Sequence, residues 1–334
     1  MNTDFLKDVL SIPSISGDES MVRDYIINFA NERNIEHYVD SKGNLYLTKG
    51  LLESEEYYPC VVSHIDTVHR SHRELIQNKQ RLIIESSVYN EGDVDEFVTL
   101  TAKHPDTKKQ TGIGGDDKCG VYVCLELFDR FDKLKGAFFV EEEIGMLGSR
   151  VADDKFFENV GYATQFDAPS SNWITEICSG VKIFDDNFKN EIKEVLSESG
   201  YTKFSNDPFT DVNQLSKKYD FNCLNLGCGY YKQHTDQEYV IVSEVYDSLE
   251  AGVKLLTKLG NKKYVHTKEE PKSILNESYS YGAYTYTFDD DIEDMDEFDE
   301  LGDSVTEMVI TMFMEGVGEK EIREEVSNYL RNIY

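Results

Sequence analysis

No stretch of this 334-residue chain is apolar for long enough to cross a bilayer as a helix. Positive charge is scarce, with 34 Lys and Arg against 64 Asp and Glu and a formal net charge of −30. A surface of that sign repels phosphate backbones and anionic lipid, so neither nucleic acid nor membrane is an expected partner. The opening Met1-Asn2-Thr3-Asp4 lacks the basic-then-apolar layout of a secretory signal, and a cytoplasmic location is expected. The cysteines, Cys60, Cys119, Cys124, Cys178, Cys223 and Cys228, lack zinc-knuckle spacing and several lie in apolar runs. They read as buried free thiols. Also missing are a His-Glu-x-x-His helix, a Gly-x-Ser-x-Gly elbow, a Gly-Lys-Ser/Thr phosphate loop and any internal repeat.

What is present alternates between the periods of helix and strand. Helices are expected over 3–11, 18–33, 119–132, 185–198, 210–218 and 240–259. Strands are expected over 59–63, 80–88, 96–102, 136–141 and 221–227, with another leading to Asp167 and more within 173–183. Asp40 to Asn44 reads as a turn between two strands. The pattern predicts an α/β fold, a three-layer sandwich in which a mostly parallel mixed sheet is flanked by helices. Ligands in such sheets gather beyond the carboxyl ends of the strands. The expected division is a catalytic domain over 1–262, an acidic flexible linker over 263–303 and a helical hairpin over 304–334. The linker is acidic enough, at Asp289 to Glu297, to stay solvated, and it lacks the spacing of a calcium loop. The terminal helices carry apolar stripes, Val305-Met308-Val309-Met312 and Ile322-Val326-Leu330, expected to dock on the body or to mediate self-association.

Four motifs carry oxygen and imidazole donors of the kind zinc takes. They are Ser63-His64-Ile65-Asp66, Gly115-Asp116-Asp117-Lys118, Glu141-Glu142-Glu143-Ile144-Gly145, and Asp167 followed by Lys232-Gln233-His234-Thr235. A hydrophobic strand precedes each of the first three. On a strand, His64 and Asp66 face the same side, so the histidine can bind metal while the aspartate fixes its ring. Asp116 and Asp117 are adjacent acids at a helix start. One can bridge two cations and the other can cap the helix, and the sequence leaves open which does which. The glutamates follow the apolar Ala137-Phe138-Phe139-Val140. Adjacent glutamates can divide between holding metal and taking a proton from water. Asp167 and His234 gain weight only from the motifs before them. His37, His69, His72, His104 and His266 read as surface or packing residues.

In these motifs the chain resembles the co-catalytic zinc exopeptidases, which include peptidase T, the glutamate carboxypeptidase relatives and the zinc aminopeptidases. Peptidase T and its close relatives match best. The resemblance runs from Phe5 to about Lys258 and takes in Leu10 to Gly17, Asp40 to Asn44, and Phe209-Thr210-Asp211-Val212 in place of a Gly-Gly-Thr-Asp pattern. It implies two divalent metal ions, zinc foremost and cobalt or manganese as alternatives. One ion would take His64, Asp116 and Asp167, and the other Asp116, Glu143 and His234. It also implies Glu142 as general base, Asp66 as orienting acid, and a cis peptide after Asp116. The chain departs from the family in spacing. Asp167 and His234 stand 67 positions apart, too close for a lid and dimerisation domain between them. Asp66 and Asp116 stand 50 apart, too close for the domain that some aminopeptidases insert there.

The implied activity is metal-dependent cleavage of amide bonds in small peptides by an aminopeptidase or tripeptidase-like exopeptidase. One alternative is an N-acyl amino acid deacylase or carboxypeptidase, which needs a cation for the substrate carboxylate; Arg150 and Lys118 are nearest in sequence. Another is a binding protein that kept the fold and lost turnover.

Overall fold

The computed structural model describes residues 3–89, 97–207 and 209–268. Most of the expected acidic linker, and the whole helical hairpin, lie outside the described residues. Two helices open the chain, α1 (Thr3–Leu10) and α2 (Ser20–Glu32), followed by the strands β1 (Glu36–Val39), β2 (Leu45–Lys49) and β3 (Tyr58–His64). Then come α3 (His72–Asn78), β4 (Ile83–Tyr89), β5 (Phe97–Lys103), β6 (Gln110–Thr111), α4 (Gly115–Arg130) and β7 (Leu134–Phe139). The short helices α5 (Leu147–Arg150) and α6 (Asp154–Phe157) lead to β8 (Val160–Ala168), β9 (Trp173–Cys178) and β10 (Val181–Lys182). After α7 (Asp186–Glu198) follow β11 (Lys203–Asp207), α8 (Asp211–Lys218), β12 (Cys223–Gly227), β13 (Tyr230–Tyr231), β14 (Tyr239–Ile241) and α9 (Val242–Leu259).

The larger sheet has the order β1-β2-β7-β3-β8-β12-β9-β10, with β11 beside β9. Its centre, β7-β3-β8-β12, is parallel. Antiparallel pairs lie outside that centre, at β1–β2, β2–β7, β12–β9 and β9–β10. The architecture is the expected α/β mixed sheet flanked by helices. β3 and β7 are buried at every position, as parallel strands covered on both faces must be, and their sequences are mainly apolar, with Lys135 in β7 and Ser63-His64 at the end of β3 as the polar exceptions. Neighbouring residues on β8 show the two covered faces. Gln165 bonds Thr210 and Val212 at the start of α8. Phe166 points the other way, to Gly252 of α9, where an added Cβ would fall 2.9 Å from its ring. α7 shows how one flanking helix is specified. Phe188, Ile192 and Leu196 make its buried stripe, and Asp185 caps it by accepting from Phe188 N at 2.9 Å.

The chain between Asp66 and Asp116 does something that the spacing leaves unsaid. β4, β5 and β6 form a second, five-stranded sheet with β13 and β14, in the order β13-β14-β5-β4 and with β6 on β5. The chain between Asp167 and His234 supplies β9 to β12 of the large sheet, the helices α7 and α8, and β13 of the small sheet. Past α9, Val265 bridges Phe221, His266 N donates to Asp220 O, and Thr267 N donates to Asp185. All six cysteines are free and buried. Among the described residues no helix is long and apolar enough to cross a membrane. The motif residues follow from the parallel centre: His64 ends β3, Glu141 to Glu143 follow β7, Asp167 lies near the end of β8, and the chain after β12 leads to His234.

Candidate metal centre

β3 delivers His64 into the interior, its side chain 1% exposed. Its Nε2 lies 3.0 Å from Asp116 Oδ1 and 3.5 Å from Asp167 Oδ1. Its Nδ1 lies 3.3 Å from Asp66 Oδ1 and 3.2 Å from the Asp66 main-chain oxygen. The main-chain contact arises because β3 stops at His64, so Asp66 stands beyond the pleat. Asp66 does more than face the ring. Its carboxylate accepts from Glu142 N at 3.0 Å, Glu143 N at 3.2 Å and Ser16 Oγ at 2.7 Å. A single buried acid therefore orients both the histidine and the glutamate turn. Asn44 supports that turn from behind, accepting from Val140 N and donating to Gly148 O.

Asp116 and Asp117, joined by a cis peptide, face different ways. Asp117 accepts from Gly120 N at 3.1 Å, Ser63 Oγ at 2.6 Å and His64 N at 3.2 Å, so it caps α4 and ties it to β3. Asp116 turns toward the histidines. While Oδ1 faces His64, Oδ2 lies 3.2 Å from His234 Nε2, which is in turn 3.0 Å from Glu143 Oε2. Asp167 Oδ2 accepts from Gln165 Nε2 at 3.0 Å, and its Oδ1 accepts from the Tyr230 hydroxyl at 3.3 Å. Asn225 grips the Asp167 main chain at both N and O, each at 2.9 Å. Glu141 leaves the cluster and pairs with Lys42. Glu142 is 8% exposed, and the buried Glu143 Oε1 has no hydrogen-bond partner among the described residues.

The charges are mutually dependent. Burial would lower His64, but Asp167, Asp116 and Asp66 hold it well above the usual imidazole range. For His234, whose side chain is about half exposed, partial desolvation is outweighed by hydrogen bonds to Asp116 and Glu143, and the ring is raised to about 11. Burial pushes up Glu142, Glu143 and Asp167, and neighbouring carboxylates add to each. Crowded buried acids either keep protons or accept a compensating cation. Imidazoles must give up protons to bind one. Two imidazoles, three carboxylates and an orphaned Glu143 oxygen fit divalent ions of the zinc type. Ligand atoms of His64, Asp116 and Glu143 fall within 4.8 Å of one another, as do those of His64, Asp117 and Asp167. In the second group Asp117 is already engaged by Gly120, Ser63 and His64, which leaves Asp116 as the better donor.

The five candidate ligands thus converge, with Glu142 and Asp66 beside them. The cation expectation divides. Lys118 is fully buried, donates to Leu10 O and Ile12 O, and is pushed by burial down to about 7. It is not available to a substrate carboxylate. Arg150 is exposed. Sequence reasoning did not identify Gln165, Asn225 and Tyr230 as supports. Of these only Gln165 had a signal, being two residues before Asp167 on one strand face.

No protein-family model matches the chain, and no curated protein does either. Solved structures do. The chain is similar to aminopeptidase PepT from Bacillus cereus, with a TM-score of 0.59 at 13% identity over 77% of this chain and 97% of that one. It is similar to a tripeptidase from Staphylococcus aureus, with a TM-score of 0.54 at 12% identity over 76% of this chain and 96% of the other. A third similar structure is the TET1 peptidase from Pyrococcus horikoshii, with a TM-score of 0.53 at 15% identity over 78% of this chain and 99% of that one. Likeness at these identities establishes the fold.

Proposed function

We propose that the chain is a two-metal hydrolase of small peptides, an exopeptidase of the aminopeptidase or tripeptidase type. Zinc is the foremost metal, with cobalt and manganese as alternatives. One observation carries the reading: Asp116 turns one oxygen toward His64, which Asp167 also faces, and the other toward His234 and Glu143. A carboxylate facing two donor groups in this way is suited to bridge a metal pair. The peptidase names of structures sharing the fold support a peptide substrate.

His64, Asp116 and Asp167 would hold one ion, and Asp116, Glu143 and His234 the other. Bound ions would polarise a scissile carbonyl and acidify a water. The protein's own part is proton handling and alignment. Glu142 takes the proton from the attacking water and returns it to the leaving amine. Asp66 holds the Glu142 and Glu143 main chain and the His64 ring in one arrangement. The TET1 peptidase can assemble into a tetrahedron or an octahedral shell. Self-association of this chain through its C-terminal helices is part of the same proposal, as are the division at 262/263 and a cytoplasmic location.

The test is a metal-stripped chain reloaded with zinc, cobalt or manganese. It is offered peptides with a free amino end, peptides blocked at that end, and N-acyl amino acids. Cleavage should follow metal and require a free amino terminus. Turnover of N-acyl amino acids or of amino-blocked peptides alone would establish the deacylase or carboxypeptidase instead. Two bound ions without any turnover would leave a binding protein.

A further inference from the structure

Two residues outside the proposed ligand set shape the loop that carries Asp116. Glu238 is fully buried. Its Oε2 accepts from Gly114 N at 2.7 Å and from His69 Nε2 at 2.8 Å, and its Oε1 accepts from Asp116 N at 3.1 Å. The peptide N–H groups on either side of Gly115 therefore converge on one carboxylate. The loop is closely packed on His69 and on its other neighbours. Gly112 passes the His69 ring so tightly that an added Cβ would fall 1.9 Å from it. Gly114 is left-handed at φ 66, and a Cβ there would meet Lys118 at 2.7 Å and Thr67 at 2.8 Å.

Glu238 also belongs to the segment that carries His234. Its own N–H donates to Thr235 O at 3.1 Å, closing the turn just after that histidine. The next residues enter β14, where Val240 and Ile241 pair with β5. The side chain thus links the main chain of Asp116 to the turn that carries His234. The His64 side has different anchors: Asp117, Asp66, Gln165 and Asn225, none of them bonded to Glu238.

We infer that Glu238 is a positioning residue that fixes Asp116 and His234 relative to each other, and so selectively sets metal affinity in the Asp116–Glu143–His234 half. The inference rests on the two-metal reading. A buried carboxylate makes strong, directional bonds to main-chain N–H groups. Removing an oxygen from this position must leave one of the two N–H groups facing a donor.

Glu238→Gln provides that change at constant size. Zinc is titrated into metal-stripped wild type and variant in competition with a chromophoric chelator, resolving two dissociation constants. The weaker constant, expected for the half whose histidine is 52% exposed against 1% for His64, should rise about 10–100-fold, the usual effect of losing an outer support, while the tighter one stays near wild type. A merely structural role would lower the melting temperature of the metal-free protein and leave the ratio of the two constants alone. An unchanged ratio in folded variant, including equal weakening of both sites, overturns the inference. Should Glu238→Gln fail to fold by circular dichroism, His69→Phe decides. It removes one partner of the carboxylate, so the ratio should shift in the same direction by less, and no shift again overturns the inference. Wild type that takes up only one ion overturns the two-metal reading itself, and this inference with it.

Discussion

The two halves of the candidate centre meet in Asp116 and are built differently. His64 ends a strand that is buried along its whole length, its side chain 1% exposed. Asp167 is 7% exposed and braced by Gln165, Tyr230 and Asn225. His234, by contrast, sits in a connection between two short strands, left-handed at φ 63, with a side chain 52% exposed. Donors already fixed by folding lose little freedom when they bind, whereas a donor on an open loop must be ordered by the ion. The His64 half should therefore fill first and hold tightly, and the His234 half should exchange. Activity would then follow occupancy of the looser half.

The largest effects should come from breaking one half at a time. His64→Ala should lose the tight ion and, by releasing Asp116 on that side, weaken the other, abolishing turnover. His234→Ala should keep a single ion at nearly wild-type affinity and recover some activity at high metal concentration. Metal analysis after dialysis, with activity against added zinc, distinguishes the two. Equal losses in both variants would show that the halves are not differently built in any sense that matters for binding.

Glu142 belongs to neither half and sharpens the comparison. Glu142→Gln should keep both ions and substrate affinity while kcat falls by about two to four orders of magnitude, the usual scale of general-base catalysis. Glu143→Gln should instead loosen only the ion of the His234 half. Exchange of the two phenotypes would move the base by one residue. The acid turn is held by main-chain bonds from Glu142 and Glu143 to Asp66, so neither amide should disturb the fold.

How much of this was legible follows from where each contact runs. Of the five candidate ligands, His64, Asp116 and Glu143 were legible because each stands at the end of an apolar run or a Gly-rich turn, a short-range signature, whereas Asp167 and His234 were picked out only by the motifs before them. The pairing of His64 with Asp66 was legible at two-residue spacing. A bond to a main-chain N–H far away in sequence leaves no such trace. Glu238 and Gly114 are 124 residues apart, and nothing in Thr235-Asp236-Gln237-Glu238 marks the glutamate as an acceptor for them. His69, which stands outside the motifs, reads from the sequence only as a surface or packing residue. Lys118 misled in the opposite sense. It adjoins the aspartate pair in sequence, yet its side chain runs inward to carbonyls of Leu10 and Ile12. The second sheet was also hidden, because strands over 80–88 and 96–102 do not reveal that β14 will pair with the second of them.

The last prediction is one of stability and concerns Asp211, a fully buried acid at the start of α8, which probes the charge balance common to both halves. Burial, opposed by His64 and reinforced by Asp66 and Glu143, raises its carboxyl from 3.8 to about 7. The folded state thus binds this proton more tightly than the unfolded chain does. The resulting stabilisation is complete below pH about 4 and is lost as pH rises through about 7, a swing on the order of 4 kcal/mol. An asparagine at this position would carry no charge at any pH, so metal-free Asp211→Asn should gain on wild type between pH 5 and pH 8. Urea midpoints of chelator-treated protein at the two pH values measure the difference. Bound divalent ions would supply the positive charge that the buried acids lack, so added zinc should shrink the pH-dependent gap. If it shrinks once the tight ion alone is bound, the His64 half dominates the balance. If it shrinks only when the second ion enters, the electrostatic weight lies with the His234 half, and the ranking drawn from exposure would have to be reversed.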